Sequence, residues 1–143
     1  MNYMNVIDTN IWVYRHDARD ARKQVVARNL IATVRPLALP WQVGCEFIAA
    51  SRKLAPIGFD EDDAWAALAD MQSLAKIQLM PIPKLWPAPQ SLQSRYSLSI
   101  WDALLVAACL EGGVQILYTE DMGAPRQIDG VSLVNPFLAG PTP

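Results

Sequence analysis

Histidine occurs once and cysteine twice in the 143 residues, too few for the clusters that hold zinc or staple a small secreted fold. Cys45 and Cys109 lie in separate apolar runs with no second thiol or histidine at ligand spacing, so both read as buried free thiols. His16, next to Asp17 in the charged stretch from Arg15 to Lys23, reads as a solvated surface histidine rather than a proton carrier. Long hydrophobic runs are missing as well. None approaches the roughly 20 residues that cross a bilayer, and Met1-Asn2-Tyr3-Met4-Asn5 has neither the basic region nor the apolar stretch of a signal peptide. The chain is therefore expected in the cytoplasm, with no membrane contact. Basic residues are not in excess, and the net charge of −2 argues against holding nucleic acid by charge alone. No repeat or linker divides the sequence. One domain, 1–138, is expected, followed by a disordered tail, 139–143, containing Gly140-Pro141-Thr142-Pro143.

What is present is enough apolar residue for a substantial core, 52% of the chain. Short apolar strands are predicted at Met4–Ile7, Leu37–Leu39, Ile77–Ile82, Gln115–Tyr118 and Val131–Val134. Between them, helices are predicted over about Asn10–His16, Asp20–Val34, Trp41–Lys53, Asp60–Leu74, Gln90–Tyr96 and Ser99–Glu111. In the second of these helices Val25, Val26, Leu30 and Ala27 or Ile31 share one face. Strands alternating with helices predict an α/β fold with a parallel sheet covered on both faces. Ligands in such sheets gather at the C-terminal strand ends. Trp12, Trp41 and Trp101 sit in apolar helical runs and read as core, whereas Trp65 suits a partner or dimer face.

Four carboxylates stand out against this pattern. Asp8 closes the run Met4-Asn5-Val6-Ile7, and Glu46 is the only charge between Trp41 and Ser51. Asp102 is the only polar side chain from Ile100 to Leu110, and Asp121 follows Ile116-Leu117-Tyr118 in a turn-like step. A carboxylate in an apolar setting is costly unless paired, protonated or bound to a cation. Each has a simpler explanation. Asp8 could cap a helix, Ser99 to Asp102 approximates a capping box, Glu46 could reach the surface from a helix edge, and Asp121 could serve a turn ahead of Gly123. Glu120 fits an exposed position and is the weaker candidate. The four together, all at the edges of an α/β core, point to an acidic pocket for a metal ion. Arg15, Arg19, Arg22, Lys23 and Arg28, with Arg52-Lys53, form either a basic rim for a phosphodiester or a solvated face interleaved with Asp17 and Asp20.

The motifs resemble the PIN domain, and within it the toxins of VapBC toxin–antitoxin pairs. Val6-Ile7-Asp8-Thr9-Asn10 resembles the family's first motif, and Trp41 to Phe47 its glutamate helix. Leu98 to Leu105 resembles the third acidic motif, Leu117 to Met122 the fourth, and Val134-Asn135-Pro136-Phe137 the last strand. The likeness covers nearly the whole chain. Pro87 and Pro89 depart from the more regular helix of relatives. The resemblance implies a three-layer α/β/α sandwich with a central, mostly parallel sheet. It also implies an Mg²⁺-dependent (or Mn²⁺-dependent) endoribonuclease leaving 5′-phosphate and 3′-hydroxyl ends, restrained by a cognate antitoxin and acting as a homodimer.

On this reading Asp8, Glu46, Asp102 and Asp121 are catalytic. Asp8, Asp102 and Asp121 hold the metal, while Asn10 and Thr119 orient the acids or serve as a helix cap and a strand-end turn. Two other readings are a phosphohydrolase with Asp8 as nucleophile, which would want an acid where Asn10 stands, and a non-catalytic binding module. No motif encodes a particular RNA sequence, so specificity would rest on groove shape and unpaired bases.

Overall fold

The computed structural model describes residues 3–138, so the expected disordered tail lies outside the described residues. Strand β1 (Met4–Ile7) is apolar along nearly its whole length because it has a strand on each side and helices over its faces. It pairs in parallel with β4 (Val114–Tyr118), and β4 with β6 (Val131–Val134). Antiparallel β5 (Arg126–Ile128) closes that edge. On the other side β2 (Ala38–Pro40) and β3 (Ile77–Leu79) form a parallel pair, joined to β1 by a bridge between Asn5 and Leu37. The strand order is therefore β3-β2-β1-β4-β6-β5.

Parallel neighbours need crossover connections; β4 reaches β6 by way of β5, and elsewhere the crossovers are helices. They are α1 (Thr9–Tyr14), α2 (Ala21–Thr33), α3 (Trp41–Ala50), α4 (Glu61–Leu74), α5 (Pro87–Tyr96) and α6 (Ile100–Glu111). The core is contiguous and includes Val6 and Ile7 of β1, Val43 and Phe47 of α3, Leu105 and Val106 of α6, and Leu117 of β4. No helix is long and apolar enough to cross a membrane among the described residues. At the end of α6 the chain turns sharply at Gly112, where an added Cβ would come within 2.6 Å of Leu79 Cδ2. That close approach lets β3 pack beside the turn into β4.

Several expectations need correction. Helix α3 ends at Ala50, and a 3-10 segment (Ser51–Ile57) follows where the helix had been expected to continue to Lys53. Strand β3 stops at Leu79, ahead of Pro81 and Pro83, which offer no N–H to a ladder. Helix α5 begins at Pro87 rather than Gln90, because a proline in the first helical turn gives up an N–H that has no partner anyway. The hairpin strand β5 was not anticipated. Asp129-Gly130 at its turn carries the signal, since both residues have positive φ (48° and 94°), as a tight hairpin turn requires. On α2, Ala27 and Ile31 are buried and Val25 points outward.

Side-chain placements differ too. Trp12 is buried, and its Nε1 donates to Ile7 O at 3.0 Å. Trp41 and Trp101, by contrast, lie in the first turns of their helices and are exposed. Cys109 is buried but Cys45 is exposed, because Val43, Gly44 and Phe47 take the inward face of α3. His16 is half-buried rather than a fully solvated surface residue. It packs between Phe47 and Phe59, with ring centroids 6.1 and 4.8 Å away, and burial followed by Arg15 and Arg28 pushes its pKa down.

Candidate active site

The register of two neighbouring strands brings the first acid to the centre. Ile7 stands opposite Tyr118, so the next residues, Asp8 and Thr119, leave their strands side by side. Asp8 N donates to Tyr118 O at 2.9 Å, continuing the ladder one step beyond β1. The Asp8 side chain is buried and accepts at both oxygens: Thr9 N–H donates to Oδ1 at 2.7 Å, and the Thr119 hydroxyl to Oδ2 at 2.9 Å. Thr119 Oγ1 in turn accepts from Asp121 N–H at 3.0 Å. Asn10 Nδ2 donates to Asp121 Oδ2 at 3.2 Å. Thr119 and Asn10 thus tie the end of β1 to the loop after β4.

Two helices complete the ring. Glu46 lies on α3, one turn beyond Gln42, and Asp102 lies in the first turn of α6. Asp8, Glu46, Asp102 and Asp121 all line one cavity of about 390 Å³, with Thr9, Asn10 and Gln42. At the start of α6 the Ser99 hydroxyl accepts from Asp102 N–H at 3.1 Å. The Asp102 carboxylate makes no hydrogen bond back to Ser99 among the described residues, so the capping box is only half formed. Asp102 is left facing the cavity. A complete box does occur at α4, between Asp60 and Asp63.

Electrostatics mark the same place. Burial pushes the Asp8 carboxyl up to about 6; the hydrogen bonds from Thr9 and Thr119 oppose the rise, while Asp121 and Glu46 add to it. Burial also raises Asp121, helped by Glu120 and Asp102 and opposed by Lys23. Negative charge is crowded here, and a cation would relieve it.

Glu120 is held away from the cavity. The Tyr14 hydroxyl donates to its Oε1 at 2.5 Å and Lys23 Nζ to its Oε2 at 2.8 Å. Most of the basic cluster is also engaged within the protein. Arg15 pairs with Asp70, Arg19 with Asp17 and Lys23 with Glu120, while Arg22 donates to Phe137 O and Arg28 to Arg15 O. The five cations from Arg15 to Arg28 therefore serve mainly as internal ties. A larger cavity, about 810 Å³ and lined by Arg15, His16, Arg28 and Asp70 among others, contains none of the four acids.

Sequence reasoning missed Gln42. It lines the acidic cavity, and its Nε2 donates to Trp101 O at 2.9 Å, joining the starts of α3 and α6. The signal was its position four residues before Glu46, on the same helix face. The donor set suits a hard divalent cation: carboxylate oxygens, one of them buried with a raised pKa, and no thiol or imidazole in the lining. Among the described residues no three acid, histidine or cysteine side chains form a ready-made ligand cage.

A family model described as PIN domain matches residues 6–129. No curated protein matches the sequence. Among solved structures, the chain is similar to the Sarcin-Ricin loop cleaving toxin VapC20 of Mycobacterium tuberculosis, with a TM-score of 0.65 at 21% identity, over 83% of this chain and 91% of that one. A toxin–antitoxin complex from Klebsiella pneumoniae gives a TM-score of 0.65 at 20% identity, covering 92% and 97%. DNA-bound VapBC of Salmonella typhimurium gives 0.62 at 10% identity, covering 92% and 97%. At these identities the likeness is one of fold.

Proposed function

Because the chain belongs to the PIN-domain family, we propose that its acidic cavity hydrolyses RNA phosphodiesters with the help of Mg²⁺ or Mn²⁺. On this reading the chain is an endoribonuclease toxin of the VapC kind. The observation that carries it is the gathering of Asp8, Glu46, Asp102 and Asp121 around one cavity, with Asp8 buried and doubly hydrogen-bonded at its base. Four carboxylates facing a phosphodiester repel it unless a cation stands between them. A bound divalent cation would offset that charge and supply a water of lowered pKa.

The residues have separable tasks. Asp8, Asp102 and Asp121 would hold the cation. Thr119 and Thr9 fix both oxygens of Asp8, so the carboxylate meets its ligand in one orientation. Asn10 does the same for one oxygen of Asp121. Glu46, opposite on α3, accepts a proton or hydrogen bond from water at the centre. A nucleophilic role for Asp8 would want a second acid where Asn10 stands, and Asn10 instead donates to Asp121.

A nuclease that attacks its host's RNA needs restraint, and the neighbours from Klebsiella pneumoniae and Salmonella typhimurium were crystallised as toxin–antitoxin complexes. A cognate antitoxin is the expected partner. An Arg or Lys from it would pair with the acids of the cavity and displace the cation. RNA cleavage in Mg²⁺, with the ends of the products sequenced, tests the activity. Co-purification with the product of the neighbouring gene, followed by the same assay, tests the restraint. A neighbour that neither binds nor inhibits would remove the toxin reading and leave the nuclease.

A further inference from the structure

Two turns deliver acids to the cavity, and each contains a residue in an uncommon backbone conformation. Helix α5 ends at Tyr96, and Ser97 (φ 57°) turns the chain toward Ser99, the cap of α6, which carries Asp102 in its first turn. After β4, Met122 (φ 57°) follows Asp121 directly, and Ala124 N–H donates to Asp121 O at 3.1 Å across the turn. Neither Ser97 nor Met122 is glycine. Other residues are strained in the left-handed region and stay there only where their surroundings hold them.

One side chain grips both turns. Arg126, the first residue of β5, is half-buried. Its Nη1 donates to Met122 O at 3.0 Å and its Nη2 to Tyr96 O at 3.2 Å. The guanidinium also lies over the Tyr96 ring, 5.4 Å from the centroid. Arg126 makes no ion pair among the described residues, so its fork is occupied by two neutral carbonyls. A planar guanidinium can span two such acceptors, whereas an ammonium offers a single nitrogen. A cation at a helix C-terminus is ordinary and accounts for the bond to Tyr96 O. It does not account for the second bond, to the turn that bears Asp121.

The contacts beside it are of another kind. Arg95 pairs with Asp129 at 2.5 Å, and the Tyr96 hydroxyl donates to Asp129 Oδ1 at 2.5 Å. These bonds hold the β5–β6 hairpin to α5 and reach no residue of the turn after Asp121.

We propose that Arg126 is a positioning residue of the acidic cavity: by bridging Tyr96 O and Met122 O, it sets where Asp121 stands relative to Asp102. The inference rests on the nuclease reading above and deepens it. Asp102 is among the charges that raise the Asp121 pKa, so these two carboxylates repel each other. A tie between their segments opposes that separation and keeps both within reach of one cation. Arg126 does not itself line the cavity, so it acts through the backbone and not on the substrate.

The test compares the full-length wild type with Arg126→Gln, Arg126→Lys and, as a control, Arg95→Gln, which loosens the hairpin without touching Met122. Mn²⁺ is the probe, and electron paramagnetic resonance of the free ion reads its binding without any substrate. Both Arg126 variants should bind Mn²⁺ about tenfold more weakly. On an RNA that the wild type cleaves, kcat should fall about as far with KM unchanged. Arg95→Gln should melt earlier and keep both Mn²⁺ affinity and kcat. Arg126 variants that bind Mn²⁺ like the wild type overturn the proposal. So does an equal loss in Arg95→Gln, since a loosened hairpin would then explain everything. Full affinity in Arg126→Lys, with loss only in Arg126→Gln, overturns the bridge. Circular dichroism checks folding. If Arg126→Gln is unfolded, Arg126→Lys carries the test, and unfolding of both overturns the proposal by making Arg126 part of the framework. A wild type that binds Mn²⁺ and cleaves RNA keeps the nuclease reading whatever the variants do; one that does neither overturns both.

Discussion

The Thr119 hydroxyl donates to Asp8 Oδ2 at 2.9 Å while accepting from Asp121 N–H at 3.0 Å, so one side chain aligns acids 113 positions apart in sequence. The alignment follows from parallel pairing: Ile7 faces Tyr118, and the next residue on each strand emerges at the same level. Thr119 is fully buried, so its hydroxyl depends on these two partners alone.

Replacing Thr119 with Val keeps the shape and removes both bonds. Cleavage should fall about 10- to 100-fold, the usual range for a residue that orients a metal ligand. Stability should fall by about 1–3 kcal/mol, because Asp8 loses a buried donor. Thr119→Ser should restore most of both. Urea melts beside a cleavage assay give the comparison, and full activity in Thr119→Val would sink the positioning role.

Asp8 makes the metal-free protein sensitive to pH. A carboxyl whose folded pKa is raised from 3.8 to about 6 favours folding when protonated. That stability is complete below about pH 4 and is lost as pH rises through about 6. The shift corresponds to about 3 kcal/mol. His16 works in the opposite sense: its lowered pKa favours folding above its ordinary value and costs stability as pH falls. The difference between wild type and Asp8→Asn isolates the carboxylate. In EDTA at pH 7 the variant should be more stable by about 1–2 kcal/mol, allowing for a weakened hydrogen bond, and the gap should close near pH 4. A gap independent of pH would show that Asp8 carries no raised pKa.

Asp102 and Ser99 should separate cleanly. Ser99→Ala removes the helix cap and should cost about 1 kcal/mol, with RNA cleavage largely kept. Asp102→Asn leaves the cap bond in place, since that bond uses the backbone N–H, and should abolish cleavage with little change in melting temperature. The reverse pattern would return Asp102 to a capping role.

Divalent metal should stabilise the wild type. At 100 times its dissociation constant, Mg²⁺ or Mn²⁺ adds roughly 2.7 kcal/mol if it binds only the folded chain. Thermal melts in EDTA, Mg²⁺ and Mn²⁺ read this without any substrate. Asp8→Asn and Asp102→Asn should lose most of the shift. Equal shifts in all three proteins would place the metal elsewhere.

Much of this protein was legible from residue order. Short apolar runs alternating with helical ones specify an α/β sheet. An acid just past a buried strand or inside an apolar helix is expensive enough to be noticed without coordinates. The family motifs around Asp8, Glu46, Asp102 and Asp121 lie in those same segments. Outward placements were not legible. Trp41, Trp101 and Cys45 sit in apolar runs but face outward, and periodicity cannot say which side of an apolar helix a neighbour leaves uncovered. His16 sits among charges but rests on Phe47 and Phe59, which come from distant segments. The internal pairing of Glu120 with Tyr14 and Lys23, and the tie that Gln42 makes between the starts of α3 and α6, also required the fold. Local chemistry identified which groups are costly to bury; only the packing of strands and helices decided which of them meet.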